Sequence, residues 1–458
     1  MPDYLPHTED DIKEMLAFLG LSSLDELFAT VPAALRLSGG LALEEGRPEP
    51  DVVARFEERA RANATAGLVC FAGAGAYDHE VPAVVRSLAG RSEFVTSYTP
   101  YQAEVAQGVL QAVFEFQTLV ARIAGLPIAN ASLYDGASAL VEGVNLGVAA
   151  SGRPVVWVSA GVHPHWRAVL DTFAVGPGHR VVEVPLDLGR TVWEGAAEAG
   201  GAPGVLVLGY PNYLGCLEDP AEARALADRL GAVLVMAADP VAVGLVKSPG
   251  EWGADVMVGE GQALGVPLAF GGPYLGLFAC SQEHVRRLPG RLVGETVDRD
   301  GRRAYVTTLR AREQDIRRER ATSNVCTNET LLAVTAAIQL GWLGTSGLAE
   351  VALRCARGAR YCRDALLGID GVEPLTGETP VLREFALRLP VRADLVIGRL
   401  AAEGYLAGVA LDQLVGDRGD GSLDAEAAAH GLLVAVTERR TRAEIDGLVA
   451  ALDKAVRS

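Results

Sequence analysis

The chain has 458 residues, which is too long for one ordinary hydrophobic core and predicts two or three domains. Hydrophobic residues make up 49% and charged residues 22% of the sequence, a globular balance, and the net charge of −17 argues against nucleic-acid binding. Only three of the 41 basic residues are lysines, at positions 13, 247 and 454, so chemistry that requires a lysine amine has few candidates in this chain.

Residues 1–60 predict an N-terminal helical arm. Thr8 is a suitable N-cap for a helix that begins at Glu9, the apolar residues after it follow helical spacing, and Gly20 ends it. A second short turn is expected at Ser23–Phe28. Two short helices cannot bury their own apolar stripe, so we expect the arm to lie on a larger body, in this chain or in a partner.

Residues 61–340 predict a large α/β domain, in which helices alternate with short apolar strands. The strands are expected at Val155–Ser159, Val181–Val184, Gly204–Leu208 and Val233–Ala237. Strands that are apolar throughout and lie between helices indicate a mostly parallel sheet that is covered on both faces.

Residues 341–458 predict a small C-terminal α+β domain. A long helix at about Leu348–Leu367 leads to a strand at Glu384–Leu389, and a second strand is expected at Leu432–Val436. Thr441–Glu444 is a capping box that opens the last helix. A large α/β domain followed by a small α+β domain resembles the outline of pyridoxal-phosphate (PLP) enzymes of the aspartate-aminotransferase fold, fold type I.

The six cysteines form no CxxC pair, and none lies near a histidine at zinc-binding spacing. His163 and His165 have no third ligand nearby, so we expect no metal site. The low cysteine count and the lack of a signal peptide predict a reduced, cytoplasmic protein, and no apolar run of about 18 residues predicts a transmembrane helix.

Two polar motifs precede predicted helices. Tyr98, Tyr101 and Gln102 surround a proline turn within Ser97–Gly108, which by itself is also typical of a structural turn with a cap. In Asn130–Ser138, small and polar residues surround an Asp-Gly pair at a strand-to-helix junction. Backbone N–H groups at such a helix start are able to approach an anion.

Four further segments complete the set of motifs: Gly259–Gly265, Phe270–Gly276, Pro289–Thr296 and Leu309–Asn328. Together with the two motifs above, they resemble the glycine-cleavage P-protein, glycine dehydrogenase (decarboxylating). The resemblance is to the first of two subunits, in the form of the enzyme that is split into two chains. It runs nearly end to end, from Tyr4 through the last helix.

The resemblance implies an enzyme that decarboxylates glycine with PLP and passes the aminomethyl group to the lipoyl arm of the H-protein. It implies an α2β2 heterotetramer with the lysine-bearing second subunit, and a cofactor pocket near the interface. In this chain, Gly259–Gln262 stands where the PLP lysine would follow the last strands of the large domain. We therefore expect the partner to hold PLP covalently, and we interpret Asp239 as the remnant of a pocket that no longer binds it.

The resemblance also implies which residues of this chain contribute to the site. Tyr98, Tyr101 and Gln102 would line a partly dry catalytic cleft, and Thr322, Ser323 and Asn324 would donate hydrogen bonds to the phosphate of the partner-held PLP. The segment 302–320 carries seven arginines and three acids, which would either add charge to the same anion or form a solvated or interface ion-pair face. The choice of acid and base stays open.

Three departures from the family pattern are visible: Ala103 in place of a proline, Gly209–Gly215 in place of a QNPNF-like segment, and Arg383 in place of an asparagine. Two alternative functions remain. One is a self-sufficient PLP transaminase or lyase that uses Lys247, and the other is a non-catalytic scaffold that stabilises the partner. A nicotinamide-dependent dehydrogenase has no support in the sequence.

Overall fold

The computed structural model describes residues 7–37, 39, 41–63, 67–194, 196, 201–269, 271–416, 421 and 423–457. The chain forms two compact units, Met1–Ala66 and Gly67–Ser458. The predicted domain boundaries at residues 60 and 340 stay predictions. The N-terminal Tyr4 and Phe270 of the predicted motifs lie outside the described residues.

The first unit is helical. It contains helices α1 (Glu9–Leu19) and α2 (Glu49–Ala62) and a 3-10 helix at Leu24–Phe28. The Thr8 hydroxyl accepts from the backbone of Asp11, whose carboxylate in turn accepts from the backbone of Thr8. This reciprocal capping confirms the predicted start of the first helix.

The second unit contains seventeen short strands among its described residues. In chain order they are β1 (Val69–Cys70), β2 (Ile128–Ala129), β3 (Val155–Ser159), β4 (Arg180–Val184), β5 (Leu186–Asp187), β6 (Arg190–Thr191), β7 (Val205–Tyr210), β8 (Val233–Ala238), β9 (Val256–Glu260), β10 (Gly276–Cys280), β11 (Val293–Val297), β12 (Arg303–Thr307), β13 (Glu373–Pro374), β14 (Glu384–Arg388), β15 (Tyr405–Leu406), β16 (Val409–Ala410) and β17 (Gly431–Ala435).

Helices connect and cover these strands. They are α3 (Ala83–Ala89), α4 (Ser92–Val95), α5 (Gln107–Ala124), α6 (Gly136–Ser151), α7 (Pro164–Ala174), α8 (Pro220–Leu230), α9 (Gln314–Arg317), α10 (Thr330–Leu366), α11 (Ala393–Ala402), α12 (Asp412–Val415), α13 (Ala425–His430) and α14 (Arg442–Arg457).

Seven strands form the central sheet, in the order β2-β10-β9-β8-β7-β3-β4. Strands β4, β3, β7, β8 and β9 are parallel, and β10 runs antiparallel to both of its neighbours. Alternate residues of each strand face opposite layers. Val205 and Val207 pack toward α6, whereas Leu206 and Leu208 pack toward α8. The sheet is therefore covered on both faces, as its apolar strands predict.

A four-stranded antiparallel sheet, β13-β14-β17-β16, forms the second layer system. Its core includes Phe385, Leu387 and Val434 together with residues from α11, α14 and the second half of α10. Both predicted strands of this region are present within one residue of their expected bounds. This sheet faces the carboxyl ends of the central strands, because β14 supplies residues to the cleft described below.

Helix α10 is continuous across the predicted boundary at residue 340 but is kinked at Gly344, where φ is 61°. Among the described residues, it is the one helix that is long and apolar enough to cross a membrane. Its first half packs against α5 through Ala333 and Ala336, which are fully buried. The expectation that no apolar run of about 18 residues exists is therefore wrong for this helix. Core helices share this length and composition, and the expectation that the chain has no transmembrane helix stays a prediction.

Candidate functional site

A cleft opens where the parallel strands β7, β8 and β9 end, since the carboxyl ends of parallel strands meet at one edge of the sheet. Asp239 follows β8, Glu260 ends β9, Glu384 begins β14, and Arg383 immediately precedes that strand. The free volume among these side chains is about 90 Å³. The cleft is therefore narrow, and it is lined in part by charged groups of the chain itself.

A buried ion pair closes one side of the cleft. An Arg383 guanidinium nitrogen lies 2.8 Å from the Asp239 carboxylate, and both side chains are largely buried. The guanidinium also lies over the ring of Tyr77, 3.5 Å from the ring centre. Burial is the largest influence on the pKa of Arg383 and lowers it, but Asp239, together with Tyr77, Cys355 and Glu384, raises the pKa above its usual value. Arg383 is thus a fixed cation that neutralises Asp239.

The same guanidinium begins a chain of hydrogen bonds behind the cleft. Arg383 lies 2.6 Å from His79 Nε2, and His79 Nδ1 lies 2.6 Å from Glu438. Cys355 lies beside Glu438, so three groups that are able to bind a metal come close together. Both ring nitrogens of His79 are already used, one of them by a cation. The cluster of His79, Cys355 and Glu438 is therefore a hydrogen-bonded network in which His79 has no free ring nitrogen for a metal ion.

Glu260 occupies the start of helix α6. Its carboxylate accepts from the backbone N–H groups of Gly136 at 2.9 Å, Gln262 at 3.0 Å and Leu275 at 2.9 Å. Burial raises the pKa of Glu260 to about 7, and these N–H donors oppose a further rise. The anion expected at this helix start is thus a carboxylate of the same chain.

Glu384 and His163 are two further ionisable groups around the cleft. Glu384 accepts from Tyr77 Oη and from the Ala74 backbone, both at 2.7 Å, and burial raises its pKa to about 7. Burial lowers the pKa of His163 to about 4, and its Nε2 lies 3.0 Å from the Ala74 carbonyl oxygen. Each of these polar groups therefore has a partner within the chain.

The six predicted site residues lie outside this cleft, and the structure separates them into two places. Tyr98 is 77% exposed and lines a surface groove of about 680 Å³ with Arg91 and Phe94. Gln102 is exposed at the start of a short 3-10 helix. Thr322, Ser323 and Asn324 line a second groove, of about 490 Å³, beside helix α6.

Tyr101 is the predicted residue that the structure ties to the distant 323–328 segment. Its hydroxyl oxygen lies 3.3 Å from Arg291 Nη2, which also donates to the Cys326 carbonyl oxygen at 2.6 Å. Arg291 Nη1 donates to Asn328 Oδ1 at 3.1 Å. Asn328 Nδ2 in turn donates to the Ala131 carbonyl oxygen at 3.0 Å. Three motifs that are far apart in sequence therefore meet around one guanidinium.

Two residues of this site were not predicted to act in it. Arg291 belongs to the Pro289–Thr296 motif, which carried the family resemblance without a role. Glu142, on helix α6, is buried and accepts a hydrogen bond from Ser323, and burial raises its pKa to about 7. The sequence feature that could have identified both residues is a charge at a position whose neighbours in sequence are apolar or small.

The family model described as glycine cleavage system P-protein matches residues 2–375 of the chain. The chain belongs to this family. It is 46% identical over 450 residues to a protein of Moorella thermoacetica and 41% identical over 457 residues to one of Desulforamulus reducens. Both carry the name "Probable glycine dehydrogenase (decarboxylating) subunit 1", and each alignment covers at least 98% of both proteins.

Solved structures give the same family and the fold. A crystal structure of glycine decarboxylase (P-protein) in inhibitor-bound form superposes with a TM-score of 0.89 at 44% identity and covers 99% of the chain and 100% of that structure. A NifS-like protein from Rickettsia africae superposes at 0.62 with 11% identity, covering 85% of the chain and 100% of that structure, which supports the fold alone. The predicted PLP-dependent fold type I is confirmed.

The cleft of this P-protein chain does not fit PLP. Its residues include no lysine: Lys247 is exposed, with its Nζ 4.8 Å from the centre of the Trp252 ring. Arg383 already pairs with Asp239, the acid interpreted above as a remnant of the cofactor pocket. Glu260 fills the helix start that would otherwise accept a phosphate. The free 90 Å³ is also well below the roughly 300 Å³ at which small-molecule pockets begin.

Proposed function

We propose that the chain is the first subunit of a split glycine decarboxylase of the glycine cleavage system. The observation that carries the proposal is the combination of two features. The chain matches proteins named as subunit 1 over almost its whole length, yet it fills its own cofactor cleft with internal ion pairs and hydrogen bonds. A chain of this kind needs a second chain to hold PLP.

The partner in this proposal is the second glycine dehydrogenase subunit, which supplies the lysine, and the assembly is an α2β2 heterotetramer. Glycine is the substrate, and the lipoylated H-protein accepts the aminomethyl group. The name of the relatives supports a partner subunit, because it numbers their chain as one of at least two. We also propose that the assembly works in the reducing cytoplasm, in keeping with the six free cysteines.

PLP on the partner would supply the electron sink for decarboxylation. The residues of this chain bind and orient. Tyr98, Tyr101 and Gln102 present hydroxyl and amide groups on an exposed surface, where a partner would cover them and exclude water. Thr322, Ser323 and Asn324 line a neighbouring groove with donors suited to a phosphate. Holding the reacting groups in register lowers the barrier by several kcal/mol.

Reconstitution tests the proposal. The chain is mixed with the lysine-bearing subunit, PLP and lipoylated H-protein, and the mass of the assembly is measured beside the glycine-dependent exchange of labelled bicarbonate. We expect a particle with two copies of each chain, and exchange only when both are present. Two separate species, with full exchange by the partner alone, would contradict the proposal.

The two alternatives make different predictions in the same assay. A self-sufficient enzyme that uses Lys247 would show exchange without the partner, but the position of that lysine outside the cleft disfavours it. A scaffold would keep the tetramer active after the hydroxyl groups of Tyr98 and Tyr101 are removed. The exposure of both hydroxyl-bearing rings favours a contribution to a shared site.

A further inference from the structure

Arg291 is a buried cation whose hydrogen-bond partners are all neutral. Its side chain is 6% exposed, and it contacts the Tyr101 hydroxyl, the Cys326 carbonyl and the Asn328 amide oxygen. Within the described part of the chain, no carboxylate oxygen lies within 4 Å of it; Glu313 interacts with it at longer range. A buried guanidinium without a paired anion is unusual, because burial of an unpaired charge is costly.

In the hydrogen bond between Arg291 and Tyr101, the chemistry of the two groups determines which is the donor. The guanidinium carries only donors, so the Tyr101 oxygen accepts from Arg291 and its own O–H proton is not used in that bond. Arg291 also lies over the Tyr101 ring, 5.3 Å from its centre, which fixes the ring. A phenol that accepts from a cation is polarised and becomes a stronger donor to a further acceptor.

We propose that Arg291 is a positioning residue that aims Tyr101 as a hydrogen-bond donor toward an anionic oxygen of the ligands held between the two subunits. This inference rests on the proposed function, because it takes the exposed Tyr101 surface to face the partner's site. The anion is a carboxylate or phosphate oxygen, since the buried positive charge behind Tyr101 favours a negative group in front of it.

The contacts with Cys326 and Asn328 anchor the Arg291 guanidinium behind Tyr101. One guanidinium holds Tyr101 and the backbone of the 326–328 segment at the same time, which a planar fork of donors achieves and an ammonium does not. The neighbouring Ser323 has a separate bond, because its hydroxyl accepts from the Val325 backbone N–H at 3.1 Å. Removing Arg291 would therefore release Tyr101 while this bond of Ser323 stays in place.

A double-mutant cycle in the heterotetramer tests the coupling. Arg291→Met, Tyr101→Phe and the double variant are compared by glycine-dependent exchange, by the Michaelis constant for glycine and by the PLP dissociation constant from absorbance titration. We expect Arg291→Met to lower exchange by about tenfold when Tyr101 is present and by less than about twofold in the Tyr101→Phe background. Arg286→Met, which removes an exposed arginine nearby, should leave all three measurements unchanged.

The two binding measurements identify which ligand carries the anionic oxygen. A loss that is expressed in the Michaelis constant for glycine assigns the acceptor to the substrate carboxylate, and one expressed in the PLP dissociation constant assigns it to the phosphate. A loss in kcat with neither constant changed would overturn the donor role. Equal losses from Arg291→Met with and without the Tyr101 hydroxyl would overturn the coupling.

A conservative variant separates the positioning role from a requirement for folding. If Arg291→Met does not assemble, Arg291→Lys keeps the charge and gives the same comparison, with a loss when Tyr101 is present and none in the Tyr101→Phe background. An inactive wild-type tetramer would refute the proposed function. An active wild type that Arg291→Met and Arg291→Lys leave unchanged would refute this inference alone.

Discussion

At the scale of single residues, the pairing of Asp239 with Arg383 has the largest consequence for the cleft. Asp239 lies at the end of β8 with a carboxylate that is only 15% exposed, and it would be costly to bury without a partner. Arg383 supplies that partner from the opposite sheet. The pair therefore links the end of β8 in the central sheet to the start of β14 in the four-stranded sheet, and each of these two charges has a partner within the chain.

Arg383→Met should destabilise the chain strongly. The variant keeps most of the side-chain volume but leaves Asp239 buried and unpaired, and breaking one side of a buried ion pair costs about 3–5 kcal/mol. Asp239→Asn together with Arg383→Met removes both charges and should recover much of that loss. Urea unfolding of the three proteins measures it, and a single-variant loss below about 1 kcal/mol would show that the pair is not buried in solution.

Tyr101→Phe should reduce glycine-dependent exchange, measured below saturation with glycine and PLP, more than Tyr98→Phe does. Both changes remove one hydroxyl, but only Tyr101 is held by a buried cation, whereas Tyr98 is 77% exposed. Loss of a hydrogen bond to a charged group costs roughly 1.5–3 kcal/mol, which is about ten- to a hundredfold in rate. Bicarbonate exchange is measured beside the melting temperature of the tetramer. Unchanged exchange in both variants would remove the two tyrosines from the site.

Glu142 should make the stability of the isolated chain depend on pH. Burial raises its pKa from 4.5 to about 7, so the native state holds a proton that the unfolded chain releases. The stability contribution is complete below pH 4.5 and is lost as the pH rises through about 7, by at most about 3 kcal/mol.

Glu142→Gln keeps the shape and the acceptor for Ser323 but cannot ionise. The free energy of unfolding of the variant, relative to the unmodified chain, should therefore rise between about pH 5 and about pH 8. Equal pH dependence of the two proteins would mean that Glu142 is ionised throughout this range.

At the scale of elements, helix α5 is fixed to the β11–β12 hairpin by two glutamines. Gln107 bonds both backbone groups of Tyr305, and Gln117 bonds both backbone groups of Val293, each at 2.8–3.0 Å. Each side-chain amide thus takes the place of a neighbouring strand at the hairpin edge. This attachment positions the Tyr98–Gln102 turn, which leads directly into the helix.

Gln117→Leu should destabilise the chain by roughly 2 kcal/mol or more, because it leaves a buried N–H and C=O group of Val293 without partners. Gln111→Leu is the matched control, since Gln111 lies on the same helix and its side chain bonds Glu115 rather than the hairpin. Denaturant midpoints compare the two. Equal midpoints would mean that water replaces the lost amide at the hairpin.

Sequence patterns predicted the apolar elements better than the connections between them. The four predicted central strands are present within two residues, because each is a continuous apolar run between polar turns. The domain boundary near residue 340 stays a prediction. The helix expected at about Leu348–Leu367 is the second half of α10, which begins at Thr330 and is kinked at Gly344, and the first half of α10 was not predicted.

The sequence indicated which motifs belong to the site, but not which residues of different motifs contact one another. Tyr101 and Arg291 are 190 residues apart in sequence, and only the fold brings them together. The roles of Arg383 and Glu260 were likewise hidden, because a charged residue at a strand end is usually a solvated surface group. Their meaning depends on which opposite charge or backbone donor the fold places beside them.

At the scale of the whole molecule, the chain combines a filled cleft with exposed polar motifs. Because the charges of the cleft are paired internally, we expect the second unit to fold without PLP. The exposed motifs, at Tyr98, Tyr101 and Thr322–Asn324, present their polar groups at the surface and do not enclose them in a cleft of this chain. This distribution is what a subunit needs if it completes a site on another chain.

The chain purified alone should therefore bind no PLP as a Schiff base. The cleft contains no lysine, and the exposed Lys247 lies against Trp252 outside it. A near-stoichiometric mixture with PLP is reduced with borohydride and mapped by mass spectrometry. We expect no pyridoxyl peptide and no visible absorbance band, and the partner subunit treated in parallel should label on its own lysine. Lys247→Arg is the matched control and should behave like the unmodified chain. A pyridoxyl-Lys247 peptide, lost in that control, would instead favour a self-sufficient PLP enzyme.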